Sequence, residues 1–493
     1  MHKGQTMGVS SPPIHHRWRR AKHLGLRKAL CAASLMSAPV AAQEADSTAA
    51  QLRALDVKLL PKGWDIPYPS FSDTLTGDLA GYRTTLAQYG FGLITLGPSV
   101  FAGNVLNTPR TLPAQYNFFG TIAPCVSKFS PCAGNQVYFG QQASGVGIWA
   151  PTLTYDLSRL GVPDGQIVFT LAILASSWEG YLPNAVELGN LTWWQTAFDK
   201  RMEIEVGYMS NAYRYMGTQI GGNFANTFGP GASINILLGE SYLATPGANF
   251  TFHLNETLYD KFGVQVSGVV RGKTSNPIFD EHYENPTAVA FAPQNTGTFF
   301  IDEVGYKTKP QPGSPSTWIR GGFMYNTAVF TDLRSSDPNA TIKGNEGVFF
   351  LADRQLWQQD PTSSYGAGRG IYAGFTYMGA PAKTTPISDY YEGRAYWVGP
   401  FDSRPNDMLS FVYFHQDYSK YLTASLNALN VTSMGTAPGG FDFANSYSIS
   451  YLGHLAPGLY AQIGLSYTDH PAGVNYKNEG SALLIQGSIT TVF

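Results

Sequence analysis

"YWVGPFDSRPNDMLSFVYF", Tyr396 to Phe414, joins two aromatic-rich arms through a hinge of Gly399, Pro400, Ser403, Arg404, Pro405, Asn406 and Asp407. The hinge has turn chemistry, and in each arm large apolar groups alternate with small or polar ones, the period of a half-buried strand. Two neighbouring strands on so short a link form a hairpin with one greasy face. Whether that face meets a second sheet or lipid decides the fold.

The same period of two recurs along the chain. In "MEIEVGYM", Met202, Ile204, Val206 and Tyr208 alternate with Glu203, Glu205 and Gly207. "FGVQVSG" sets Phe262, Val264 and Val266 against Gly263, Gln265 and Ser267, and "SYSISYLGH" sets Tyr447, Ile449 and Tyr451 against Ser446, Ser448 and Ser450. About sixteen such segments follow Phe91, within the range of outer-membrane barrels. Three features favour such a barrel over a secreted sandwich. Polar faces carry runs of hydroxyls, amides and acids suited to an enclosed, watered lumen. Trp149, Trp193, Trp194, Trp318, Trp357 and Trp397 stand near strand ends, where an aromatic belt lies. The chain also ends on a strand, "SALLIQGSITTVF", with Leu483, Ile485, Ile489 and Phe493 in phase. The expected fold is all-β, a transmembrane antiparallel barrel of about 16 strands over residues 91–493. Short links at residues 160–166, 197–202, 399–407 and 454–460 are expected on the periplasmic rim, with longer loops outside.

Composition agrees. Charged residues make up 13% of the 493, about half the usual share, while aromatics reach 14%. No run approaches the roughly 18 apolar residues of a membrane helix. At the start, "HHRWRRAKHLGLRKA" is basic, "LCAASLMSAPV" is a short apolar core, and Val40, Ala41 and Ala42 precede Gln43. These are the parts of an export signal, expected over residues 1–42 with cleavage after Ala42. Seven of the 32 Lys and Arg and none of the 34 acids lie there, leaving 25 bases against 34 acids, near −9. That balance lacks the basic footprint of a nucleic-acid binder. Cys125 and Cys132, in "PCVSKFSPC", then remain; in an oxidising compartment a local disulfide is expected, with two free thiols as the alternative. Residues 43–90 have helical spacing, with Asp78 as a cap and Leu79, Tyr82 and Leu86 on one stripe. The pattern does not distinguish a segment lying below the barrel from a plug.

"LTGDLAGYRTTLAQYGFGL" resembles the opening of the carbohydrate-selective porin family, often called OprB-type. "GVGIWAPTLTYDLSRLGVPDGQIVFTL" resembles that family's next hairpin, "NEGVFFLADRQLWQQ" a later strand, and "GPFDSRPNDMLSFVYF" a further hairpin; the terminal "TTVF" also fits. The resemblance runs from Leu75 to Phe493. It implies a sixteen-stranded barrel in a Gram-negative outer membrane that passes glucose and other sugars by diffusion. Ser410, Val412 and Phe414 stand where family members are usually Gly-rich, and Asn406 replaces an acid, so the solute preference has room to differ.

A porin needs no catalyst, only lumen groups that replace part of a solute's hydration weakly enough to let go. The candidates for pore lining are Arg201, Glu203 and Glu205, which share one face of a strand, Gln265, and Asp353. Arg271, Arg320 and Arg394 form a basic ladder facing these acids or snorkel at the rim. Arg354 lies on the opposite phase from Asp353 and Gln355, which implies a bulge or a rim position. Trp318 shares the phase of Arg320 and either stacks a sugar ring or joins the aromatic belt. No zinc, nucleophile-elbow or phosphate-loop motif appears, and no metal or cofactor is expected. The expected partners are small sugars and outer-membrane lipid, with a homotrimer as the assembly. Competing readings are a general or organic-acid channel, a barrel-borne lipid hydrolase using His415 or His454 with a serine, and a pore-less β-sandwich adhesin. Calcium at Asp302 or Asp353 lacks a ligand-dense loop.

Overall fold

The computed structural model describes residues 38–65, 68–108, 136, 138–179, 181–215, 234–271, 277–337, 339–364, 366–432, 439–471, 474–475 and 480–493. The expected Cys125–Cys132 bridge and most of the leader lie outside them. The chain divides into two compact units, Met1–Ala50 and Gln51–Phe493. Of the first, the described part is the beginning of helix α1 (Ala38–Leu59), which runs through Ala42.

The second unit is a closed antiparallel barrel. Its strands are β1 (Phe91–Asn104), β2 (Ser144–Asp156), β3 (Gln166–Ser176), β4 (Ala185–Ala197), β5 (Met202–Met209), β6 (Thr245–His253), β7 (Leu258–Val266), β8 (Thr298–Lys307), β9 (Thr317–Thr331), β10 (Thr341–Gln358), β11 (Gly370–Gly379), β12 (Ile387–Val398), β13 (Met408–Tyr418), β14 (Phe443–Ala456), β15 (Leu459–Thr468) and β16 (Ala482–Val492). Each pairs with the next, and β16 closes on β1 in the register Leu96 opposite Val492 through Asn104 opposite Leu484. The up-and-down path puts residues 157–165, 198–201, 254–257, 399–407 and 457–458 on one rim. The β1–β2, β5–β6, β7–β8 and β13–β14 links leave and rejoin the sheet at the other rim and are the longer ones, the asymmetry of short turns and long loops that outer-membrane barrels show.

The alternation is inside out. On β13 and β14, Phe411 and Ile449 are 47% and 50% exposed, whereas Ser410 and Ser448 on the opposite phase are 3% and 4%. Ser410 pairs with Ser450 at 2.8 Å, and Gln462 donates to Ser450 at 3.0 Å. A single closed sheet with its apolar phase turned outward is not a sandwich, whose greasy faces would meet in a dry middle. No described helix is long and apolar enough to cross a membrane; a barrel crosses with strands.

The interior departs from expectation in one place. Phe299, Ile301, Met324, Phe349, Leu351, Met378, Tyr390 and Phe414, all on inward phases of β8 to β13, form an apolar cluster with Tyr215, Ile234 and Leu238. The latter three belong to the link between β5 and β6, whose described residues fold into the bore, and Asn326 of β9 donates to the Leu238 carbonyl at 2.8 Å. A loop that docks inside a barrel needs an apolar floor, and this one finds it on β8 to β13, beside the serine-lined strands.

The segment before β1 enters the short-turn mouth. Leu52, Leu59, Tyr68 and Phe71 pack on Ile94 and Val492. Thr154 donates to the Leu59 carbonyl at 2.6 Å, and Gln166 donates to those of Lys58 and Leu60, 3.0 Å each. The second helix is shorter than its sequence stripe: α2 spans Tyr82–Gln88, and Leu79 is exposed ahead of it. Asp78 nonetheless serves that helix, accepting from the backbone N–H of Arg83 at 2.8 Å and Thr84 at 3.2 Å. Arg83 donates onward to the carbonyls of Gly77 and Leu93, which ties the "LTGDLAGYRT" turn to β1.

Candidate functional site

Charged and aromatic side chains on the inward phases of β4 to β12 join into one strip around the short-turn half of the bore. It begins on β5. Glu203 and Glu205 both point inward, because they stand two positions apart on a strand. Glu203 is held by His253 Nε2 at 2.8 Å and by Trp194 Nε1 at 3.3 Å. Glu205 is clasped in two-pronged fashion by Arg214, whose Nε and Nη2 each lie 2.6 Å from a carboxylate oxygen. Arg214 follows β5 in the inward-folded link and also reaches the Asn190 side chain at 2.8 Å. Both partners are almost wholly buried. A buried charge persists only when paired and hydrogen-bonded, and this fork meets both needs.

Next, Lys261 of β7 forms an ion pair with Asp65 and donates to the Arg214 carbonyl at 2.6 Å. Asp65 belongs to the segment before β1. Beside it Trp64 stacks on Tyr213, 4.9 Å between centroids, so this strap forms part of the site. Tyr259, on the same phase as Lys261, donates to Glu303 at 2.7 Å and accepts from Trp318 Nε1 at 3.0 Å. Its ring crosses β8 at Gly305, where any Cβ would strike it. Lys307 Nζ and the Arg320 guanidinium each lie 3.7 Å from the Trp318 ring centroid. The space enclosed by Trp64, Trp194, Glu203, Asn249, Lys307, Trp318 and their neighbours measures about 210 Å³.

The strip continues across β10, β11 and β12. Asp353, Gly374 and Arg394 stand directly opposite one another in register. With no side chain at Gly374, Arg394 reaches over β11 to Asp353, Nε to Oδ1 at 2.8 Å and Nη2 to Oδ2 at 2.7 Å. A Cβ on Gly374 would collide with both partners, the close approach for which a mid-strand glycine is kept. Arg394 Nη1 also donates to Glu392 and Thr376 at 2.8 Å each, and Tyr390 donates to Glu392 at 2.7 Å. Arg320 adds a second cation 3.7 Å from Asp353.

The sequence candidates therefore divide. Glu203, Glu205, Trp318, Arg320, Asp353 and Arg394 lie in the strip. Gln265 points inward on β7, buried nearer the long-loop rim. Arg201 does not join them: it sits exposed in the turn before β5, because the strand begins one residue later. Arg271 lies in the link beyond Val266, where β7 has ended, and lines no strand. Arg320 and Arg394 are not a ladder facing distant acids, since Asp353 sits between them. Trp318 is inside the barrel rather than in the belt, but cations already cover its ring. Arg354 is exposed on the outward phase opposite Thr317, the first residue of β9, with a register shift just beyond Gln355. Asp302 points outward on β8, and Asp353 is committed to arginines; neither joins a metal-ligand cluster among the described residues.

Sequence reasoning missed Tyr259, Lys261 and Lys307, although each lies on a readable phase, the first two in step with Gln265. It also missed Arg214, Trp64 and Asp65, which lie on links where no periodicity marks them.

Two carboxyls outside the strands have shifted affinities. Burial pushes the Glu240 carboxyl up to about 8 despite a hydrogen bond from Asn235, with Glu303 and Asp65 adding to the rise. Burial likewise raises Glu281, in α3 (Pro277–Glu284) of the β7–β8 link, to about 8, although Leu243 and Tyr242 N–H groups donate to it at 3.0 Å each.

The profile of the carbohydrate-selective porin, OprB family matches residues 136–493. Comparison with curated proteins finds no match. Among solved structures, the high-pH structure of Pseudomonas putida OprB is similar, with a TM-score of 0.65 at 16% identity, covering 86% of this chain and all of that one. The low-pH structure of the same protein aligns with a TM-score of 0.49 at 13% identity and the same coverage. A mutant of Rh. blastica porin aligns at 0.42 and 9% identity, over 82% of this chain and all of that one.

Proposed function

The chain belongs to the carbohydrate-selective porin, OprB family, and from that membership we propose that it passes small, glucose-like sugars by passive diffusion through its barrel in a bacterial outer membrane. The strip of paired charges and aromatic rings around the bore supports this. Carboxylates, amides and guanidiniums exchange with the water on sugar hydroxyls, while Trp194 and Tyr259 offer faces to C–H surfaces. Apart from Lys307, the charged groups of the strip are already partnered, so their contact with a passing hydroxyl is weak enough to release. Reconstituted into liposomes, the protein should admit glucose far faster than protein-free vesicles; vesicles that do not swell in glucose overturn the proposal.

The proposal takes residues 1–42 as a leader removed after Ala42, 43–90 as an N-terminal segment, and 91–493 as the barrel set in outer-membrane lipid. Assembly as a homotrimer rests on the sequence resemblance alone. Passage requires no covalent step, and the catalytic alternative has little to stand on. His415 contacts Asn445 and Asp417, and His454 contacts Asp73 and Asn406. Among the described residues, neither is hydrogen-bonded to a serine.

A further inference from the structure

The cavity holds three long cations, and two are matched. Arg214 clasps Glu205, and Lys261 holds Asp65. Lys307, exposed at the end of β8, has no carboxylate within ion-pair distance among the described residues; its ammonium lies against Trp318. A cation on an indole at an exposed site is held only weakly, and its N–H donors remain available. The acids around it are engaged: Glu203 by His253 and Trp194, Glu205 by Arg214, Asp65 by Lys261, and Glu303 by the Tyr259 hydroxyl. An incoming carboxylate would therefore meet an unmatched ammonium and carboxylates whose charge is largely spent on other partners. At about 210 Å³ the space is many times the roughly 10–15 Å³ that a single water requires, room enough for a sugar-sized solute.

We propose that this cavity favours monosaccharide acids, hydroxylated carboxylates of the aldonate and uronate class, over neutral sugars of the same size. Lys307 takes the carboxylate, while Asn249, Thr251 and Glu203 exchange hydrogen bonds with the hydroxyls. The inference rests on the proposed passage of sugars and adds a preference within it.

The experiment uses the full-length protein in liposomes. In the wild type, sodium gluconate should slow glucose uptake at lower concentration than sorbitol or sodium acetate does, because only gluconate offers both carboxylate and hydroxyls. Equal potency of gluconate and sorbitol overturns the inference, and equal potency of gluconate and acetate reduces it to plain anion binding and also overturns it. Lys307→Met should lower the gluconate-to-glucose uptake ratio about twofold to fivefold, the range of a solvent-exposed ion pair. Lys307→Arg should hold that ratio, and an unchanged ratio in Lys307→Met overturns the inference. If glucose itself fails to enter, the porin reading falls instead, so the two failures are distinct.

Discussion

Gly374 has a greater effect than its size suggests. It leaves open the path by which Arg394 crosses β11 to reach Asp353, and with Glu392 and Tyr390 this makes a closed set of buried partners. Gly374→Ala should push the guanidinium aside and leave Asp353 and Glu392 without it. Breaking a buried pair in this way costs about 3–5 kcal/mol, readable as a lower midpoint for thermal loss of the barrel's β circular dichroism. Arg394→Met should show a loss of similar size, and a midpoint unchanged in both would mean that water, not Arg394, satisfies these acids. The substitutions for glycine noted in the sequence are explained at the same scale. Ser410, Val412 and Phe414 all point inward, where Ser410 bonds Ser450 and Phe414 stacks on Tyr390 at 5.7 Å, so they thicken the inner wall. Their phase was readable from the hairpin sequence; their partners were not, because register between strands is set by tertiary pairing rather than by local pattern.

At the scale of elements, the β5–β6 and β7–β8 links are stapled by Glu281, which accepts from Tyr242 and Leu243. Burial keeps Glu240 and Glu281 protonated in the folded chain to about pH 8, against an ordinary 4.5. Between those values the folded state binds more protons than the unfolded one. The stability of the links should therefore fall as pH rises from about 4.5 to about 8 and level off above. Limited proteolysis across that range should cut residues 234–244 faster at the upper end, and Glu281→Gln should flatten the trend. A cleavage rate independent of pH would mean that both carboxyls are ionised throughout. Strand existence and facing were legible in the sequence, since alternation is a local signal. Inward folding was not, because residues 234–244 of the β5–β6 link have no period of two, and their fate depends on the apolar patch they find on β8 to β13.

Across the whole molecule, the strap at Trp64 and Asp65 narrows the short-turn mouth. It is anchored to β3 through Gln166, to β7 through Lys261, and to the inward link through Tyr213. Asp65→Asn combined with Trp64→Ala should loosen it and raise single-channel conductance in planar bilayers above the wild-type value, whereas unchanged conductance would place the narrowest point elsewhere. The closed barrel was legible from the count and phase of strands together with the terminal Phe493. The plug was not: helical spacing in residues 43–90 announces a helix but says nothing about which surface covers it.

Val492 is both the last residue of the closing strand and the floor on which Leu52, Leu59 and Phe71 rest, and its carbonyl accepts from Leu75. The amino-terminal segment therefore shares its seat with the carboxy-terminal ribbon, and part of that seat is missing without it. A polypeptide cut short by a single hairpin would forfeit its stopper along with its seam.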